Sequence, residues 1–271
     1  MEPAVKIALR AARTAGDIIA KAAERMDLVK IQEKEKNDYV SNVDRESEAE
    51  ILAQLKKAWP NDNFHAEESG FVAGAHGESD TTWYIDPLDG TTNFIRGIPH
   101  YAVSIGCVKK GVLEHAVVYD PIRREEFIAS RGRGASLNGR RIRVSEQHFF
   151  DGALIGTGIP YRASQQPFIS GYMQCVEHFA NNSAGIRRAG SAALDLAYVA
   201  AGRMDAFWEY GLSEWDLAAG MLLVQEAGGL VADFKGGSNV LKSGNVVCGN
   251  PKMFKQLLKV VNENLADVQP H

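Results

Sequence analysis

Trp83-Tyr-Ile-Asp-Pro-Leu-Asp-Gly-Thr-Thr-Asn-Phe94 is the stretch on which the reading of the whole chain turns. It begins as an apolar strand, Thr82-Trp-Tyr-Ile85, then presents two carboxylates, Asp86 and Asp89, around Pro87. Proline fixes φ and has no N–H to give to a sheet, so the strand cannot simply continue. Two acids three residues apart on a rigid turn repel each other unless a cation lies between them. Hard divalent cations take carboxylate and carbonyl oxygens, and the Leu88 carbonyl lies between the two acids. Gly90-Thr91-Thr92 follows and reads as a helix start. Free N–H groups there, with a glycine that permits close approach, make an anion site. A metal site and a phosphate site are thus expected side by side. Taken singly, Asp-Pro and Asp-Gly are ordinary turn dipeptides; the twelve residues together say more.

The bounds on the rest are broad. A chain of 271 residues with 45% hydrophobic content can bury a large core, as one large domain or two joined subdomains. A formal charge of −4 gives no global attraction to nucleic acid or acidic membranes. Cys107, Cys175 and Cys248 cannot all pair, and none lies in a close Cys-x-x-Cys pair. Buried free thiols in a reducing cytosol are expected. Glu2, Lys6, Arg10, Arg13 and Asp17 spoil any signal-peptide core. No run approaches the roughly 20 apolar residues that span a bilayer. The expectation is a soluble cytoplasmic protein.

Read in order, residues 3 to about 26 show apolar positions at helical spacing, Val5, Ala8, Leu9, Ala12, Ala15, Ile19 and Ala22. Residues 27–43 carry mixed charges and read as a solvated loop or hairpin, or equally as a mobile loop over a site. A second helix runs from about 44 to 58, with Asp44 suited to its cap or first turn. Residues 63–66 are a strand, and 70–81 a loop. Three strands, 101–108, 112–119 and 125–129, follow with tight turns between them. Arg131, Arg133, Arg140, Arg141 and Arg143 form the one basic cluster, either a charged sheet edge or a contact patch. From about 145 the pattern becomes α/β. Strands are expected at 153–156, 185–188, 205–208, 230–233 and 246–248. Helices are expected from Pro167 to about 180, and over 190–201, 214–227 and 251–264. The last of the long small-residue helices stops at Gly228-Gly229. The tail to His271 reads as frayed.

The acids Glu67, Asp86, Asp89 and Asp216 can form one carboxylate set, although each has a plainer reading. Glu67-Glu68 passes for surface charge, and Asp216 for a helix N-terminal acid favoured by the macrodipole. Residues 83–94 resemble the first signature of the inositol monophosphatase family of Mg²⁺-dependent, lithium-sensitive phosphatases. Trp215-Asp-Leu-Ala-Ala-Gly220 resembles the second signature, and Glu67-Glu-Ser69 resembles the family's Glu-Glu-Ser motif, all in the expected order. The resemblance runs from Ala4 to about Lys259.

That resemblance implies the layered αβαβα sugar-phosphatase fold of the inositol monophosphatase/fructose bisphosphatase superfamily. It implies an N-terminal α+β half, 1–145, with a large antiparallel sheet and most of the metal ligands. A C-terminal α/β half, 146–271, donates Asp216, and the two make one continuous catalytic unit. Two or three Mg²⁺ ions are implied per site, held by Glu67, Asp86, the Leu88 carbonyl, Asp89 and Asp216. Glu67, Thr91 and Asp44 are the implied catalytic residues, although Asp44 also reads as a helix cap. Gly90, Thr91 and Thr92 are implied at the phosphate, and Ser191, Ala192, Glu209 and Asp216 at the alcohol part of the substrate, which would be inositol 1-phosphate or a similar small phosphate monoester. Ser213 and Glu214, just before Trp215, depart from the animal enzymes and leave the alcohol open. A homodimer is implied. Within the family the chain resembles a bacterial branch, which implies a part in ribosomal RNA transcription antitermination with Nus factor A and RNA polymerase. Two alternatives are a nucleotide or fructose bisphosphatase of the same superfamily, and a regulatory binding protein with incidental catalysis.

Overall fold

The computed structural model describes residues 1–35, 38–77, 79–160 and 163–265. In chain order the elements are α1 (Pro3–Ala23), β1 (Ile31–Glu35), β2 (Asp38–Ser41), α2 (Asn42–Ala58), β3 (Asn63–Ala66), β4 (Gly70–Val72), β5 (Thr81–Asp89) and α3 (Thr91–Ile95). Then come β6 (Ala102–Lys109), β7 (Val112–Asp120), β8 (Glu125–Ser130), β9 (Gly134–Leu137), β10 (Arg140–Arg141), β11 (Leu154–Thr157), α4 (Ile169–Asn182) and β12 (Gly185–Arg187). The chain closes with α5 (Ala192–Ala200), β13 (Ala206–Glu209), α6 (Glu214–Glu226), β14 (Leu230–Ala232), α7 (Val240–Ser243), β15 (Val246–Gly249) and α8 (Pro251–Leu265).

These elements stack in five layers. Pro3 opens α1 where a missing N–H costs nothing, and Val5, Ala8, Leu9, Ala12, Ala15 and Ile19 bury its inner stripe. With α2 it covers one face of an eight-stranded sheet ordered β10-β9-β8-β7-β6-β5-β3-β4. The other face packs on α5 and α6, whose far sides meet a five-stranded sheet ordered β12-β11-β13-β15-β14. Its outer face, through Ile155, Trp208 and Val247, is closed by α4 and α8 with Tyr172, Phe179, Met253 and Leu257. The order is αβαβα. Helices α5 and α6 can be apolar nearly all round because they are buried between two sheets. Gly106 on β6 lets α6 lie flat on the large sheet: a methyl built there would stand 2.6 Å from the Ala218 Cβ.

Several local expectations are corrected. The large sheet is mixed, because β3 runs parallel to β5. The stretch 70–81 contains strand β4, paired antiparallel with β3. Pro167 lies in a 3₁₀ turn, Ala163–Phe168, and α4 starts only after it. Gly190 and Ser191 precede α5: Gly190 has φ of +89° and Ser191 caps the helix by accepting the Leu194 N–H. Helix α7 has only four residues and was not expected. The charge run of 27–43 forms the β1–β2 hairpin, and its residues 36 and 37 lie outside the described residues, as does the tail 266–271. In the arginine cluster, Arg140 and Arg141 form the two-residue edge strand β10. Next to it the Glu226 carboxylate, at the end of α6, accepts the Gly132 and Gly134 N–H groups at 2.8 and 2.6 Å. Among the described residues no helix is long and apolar enough to cross a membrane. All three cysteines are free and buried.

Candidate active site

Strand β5 carries its acids into the site because Pro87 breaks its pairing. The register with β6 shifts between Asp86 and Asp89, a bulge of the kind that admits proline inside a sheet. The Leu88 N–H turns back to Asp86 Oδ1 at 2.9 Å. Gly90 then adopts φ of +98°, where other residues are strained, and a methyl there would meet the Gly190 and His100 carbonyls at 3.1 Å. Helix α3 starts directly after it. Asn93 on α3 ties this corner to the second sheet, donating to the His100 carbonyl at 2.8 Å and the Ala189 carbonyl at 2.9 Å.

Asp216 arrives from the opposite side, in the first turn of α6. Its Oδ2 accepts the Ser213 N–H at 2.8 Å, half of a capping box. The Ser104 hydroxyl holds the Trp215 carbonyl at 3.1 Å and so fixes the helix start on β6. One carboxylate oxygen from each of Asp86, Asp89 and Asp216 lies within 4.8 Å of the others. Asp89 Oδ2 accepts the Ser191 hydroxyl at 2.6 Å and the Ala193 N–H at 2.7 Å, so the acid also sits on the start of α5.

Glu67 completes the rim. Lys34, from the β1–β2 hairpin, donates to Glu67 Oε1 at 3.1 Å and also to Glu68. Glu68 therefore faces a cation rather than solvent. Asp44 serves two masters through two oxygens: Oδ2 closes the α2 capping box with Ser41, and Oδ1 accepts the Thr91 hydroxyl at 2.9 Å. Thr91 Oγ1 is also 3.0 Å from the Leu88 carbonyl, and its single proton cannot serve both acceptors.

Burial dominates the electrostatics. It pushes the Asp86 and Asp216 carboxyls well above the usual carboxylate range, and their acidic neighbours push them further. Asp89 rises to about 6 by burial, against the bonds from Ser191 and Ala193. Glu67 rises to about 7 by burial, with Lys34 pulling the other way. This set fits a hard divalent cation: every donor is oxygen, the three aspartates converge, and each carboxyl gains from a positive charge nearby. A proton on Thr91 directed to Asp44 leaves the Leu88 carbonyl available as a further donor.

One cavity of about 390 Å³ is lined by Glu67, Asp86, Leu88, Asp89, Thr91 and Asp216, and Asp44 stands behind Thr91. Gly90, Thr91 and Thr92 line it on one side, and Ser191, Ala192 and Glu209 on the other. Sequence reasoning missed Lys34, Asn93 and Gly158. Asn93 lay inside the quoted stretch, where its amide was the available signal. Lys34 was one charge among many, and nothing in the sequence marked Gly158.

Set beside known proteins, residues 1–266 match the family model described as the inositol monophosphatase family. The chain belongs to that family. Relatives of this inositol monophosphatase family member include the Nus factor SuhB of Pseudomonas aeruginosa, 57% identical over 265 residues that cover 98% of each chain. The Nus factor SuhB of Escherichia coli K12 is 51% identical over 267 residues, again 98% of each. The crystal structure of extragenic suppressor protein suhB from Bartonella henselae has a TM-score of 0.92 at 39% identity, covering 97% of this chain and 99% of that one. A Thermotoga maritima IMPase follows at a TM-score of 0.87 and 34% identity, covering 98% and 99%. The inositol monophosphatase family is metal-dependent, and the acid cluster is where this chain would hold its metal.

Proposed function

We propose that this inositol monophosphatase family member hydrolyses inositol 1-phosphate, or a similar small phosphate monoester, to the alcohol and phosphate, with two or three Mg²⁺ per site. The observation that carries this is the convergence of Asp86, Asp89 and Asp216 beside the Gly90–Thr92 corner in one cavity. Glu67, Asp86, Asp89, Asp216 and the Leu88 carbonyl would hold the ions. Bound there, divalent cations neutralise the ester dianion and lower the pKa of a coordinated water.

The chain's own groups do the rest. Thr91 gives its proton to Asp44 and takes one from the attacking water on the freed lone pair. Burial keeps the Asp44 carboxyl raised, ready to accept that proton. The N–H groups of Gly90, Thr91 and Thr92 donate to phosphate oxygens as the dianion is attacked. Ser191 keeps Asp89 turned into the site, and Ala192 and Glu209 border the alcohol. Glu209 accepts hydroxyl protons from a polyol. Asp216 stands on the leaving-group side. In this reading the halves 1–145 and 146–271 form one catalytic unit, and the protein is a homodimer.

A second role is proposed alongside the first. Curated relatives at 46–57% identity carry the name Nus factor SuhB, two of them as cited above. This supports a place in an antitermination complex with Nus factor A and RNA polymerase.

A substrate panel of inositol 1-phosphate, adenosine 3′,5′-bisphosphate and fructose 1,6-bisphosphate tests the first role, with inositol 1-phosphate expected to give the highest kcat/KM. A bisphosphate leading the panel overturns the substrate assignment. For the second role, Asp89→Asn is expected still to capture Nus factor A in a pull-down. Loss of capture in that variant contradicts a separation of the two roles.

A further inference from the structure

We propose that Gly158 determines specificity by leaving the space in which the Glu209 carboxylate lies. The inference rests on the reading of Glu209 as the acceptor for substrate hydroxyls. Strands β11 and β13 are parallel neighbours, with Thr157 opposite Trp208. Their C-terminal ends therefore deliver Gly158 and Glu209 side by side to the cavity, where open α/β sheets place ligands. A methyl carbon built on Gly158 would fall on the Glu209 carboxylate, overlapping Oε1 and Cδ and standing 2.6 Å from Oε2.

The backbone cannot retreat from that overlap. Thr157 Oγ1 lies 3.0 Å from the Trp208 carbonyl and 2.7 Å from Tyr172 Oη, both buried. Glu209 is itself held in register with Val246 on β15. What the added methyl meets is the far end of the Glu209 side chain, a flexible group, and not backbone. Gly158 is not in the left-handed region, so alanine is allowed by its own backbone. Gly158→Ala should thus fold normally and displace one carboxylate. No other pocket glycine combines an ordinary φ with an acidic side-chain tip in the vacated space.

The test compares inositol 1-phosphate with p-nitrophenyl phosphate, which has no neighbouring hydroxyls, in wild type, Gly158→Ala, Glu209→Gln and the double variant Gly158→Ala/Glu209→Asp. In Gly158→Ala the ratio of the two kcat/KM values should fall roughly 10- to 100-fold, the size of losing a hydrogen bond to a charged group. Glu209→Gln should fall similarly. The double variant should regain discrimination over Gly158→Ala, because aspartate withdraws the carboxylate by one methylene. Melting of Gly158→Ala within about 3 °C of wild type confirms that the fold is intact. An unmoved ratio in Gly158→Ala, or both esters falling in parallel, overturns the inference while the phosphatase reading stands. A wild type without preference for the inositol ester overturns both the hydroxyl role of Glu209 and the inference built on it. Absence of any Mg²⁺-dependent release from either ester removes the phosphatase reading itself.

Discussion

Glu67→Gln should make the metal-free protein more stable while removing its turnover. Burial moves the Glu67 carboxyl from 4.5 to about 7, the Lys34 ammonium offsetting part of the rise. A raised carboxyl binds its proton more tightly when folded than when unfolded. Its contribution is therefore complete below the unfolded value, about 4.5, and is lost as the pH rises through about 7. At 1.36 kcal/mol per pH unit, roughly 1 kcal/mol has gone by pH 5 and roughly 3 kcal/mol by pH 8. Glutamine keeps the neutral shape and does not titrate. In EDTA, the urea-unfolding free energy of Glu67→Gln relative to wild type should grow by about 2 kcal/mol from pH 5 to pH 8. Buried histidines such as His100 and His115, whose values burial lowers, cancel in this difference. Mg²⁺ at 100 times Kd should offset most of that advantage, adding about 2.7 kcal/mol to the protein that retains its ligand. A relative stability that stays flat or falls with pH in EDTA would refute the electrostatic reasoning.

The remaining predictions are more local. Thr91→Val removes the hydroxyl between Asp44 and the cavity and should cost about 10²- to 10⁴-fold in kcat, with Thr91→Ser retaining most activity, by steady-state phosphate release. Gly106→Ala forces a methyl against Ala218 and should destabilise by about 1–3 kcal/mol in urea titration. All three thiols are buried, and burial pushes Cys107 and Cys175 to about 12. Ellman's reagent should therefore leave the native protein untouched and titrate three thiols in denaturant.

The sequence made the organising corner legible because its chemistry is local. Pro87 predicts the break in β5, and Gly90 predicts the turn that the φ of +98° then shows. Helical periodicity found α1, α2, α6 and α8 to within a few residues, since each has a stripe or an interior that must be buried. What escaped depends on partners far along the chain. Strand β4 is three residues long and exists only because β3 offers it an edge. Lys34 is indistinguishable from its charged neighbours until the hairpin brings it against Glu67, 33 positions later. Asp44 could not be divided between cap and Thr91 partner from sequence, because the division lies between its two oxygens. Gly158 matters only through what a side chain would strike on β13.

The central claim is that Asp86, Asp89 and Asp216 form a metal site that drives phosphate-ester hydrolysis. Phosphate release from inositol 1-phosphate, with and without Mg²⁺, in wild type and Asp89→Asn, tests it most directly. Turnover that requires Mg²⁺, falls with Li⁺ and vanishes in Asp89→Asn is the predicted result. Full turnover in Asp89→Asn, or turnover in wild type that persists in EDTA, would contradict it.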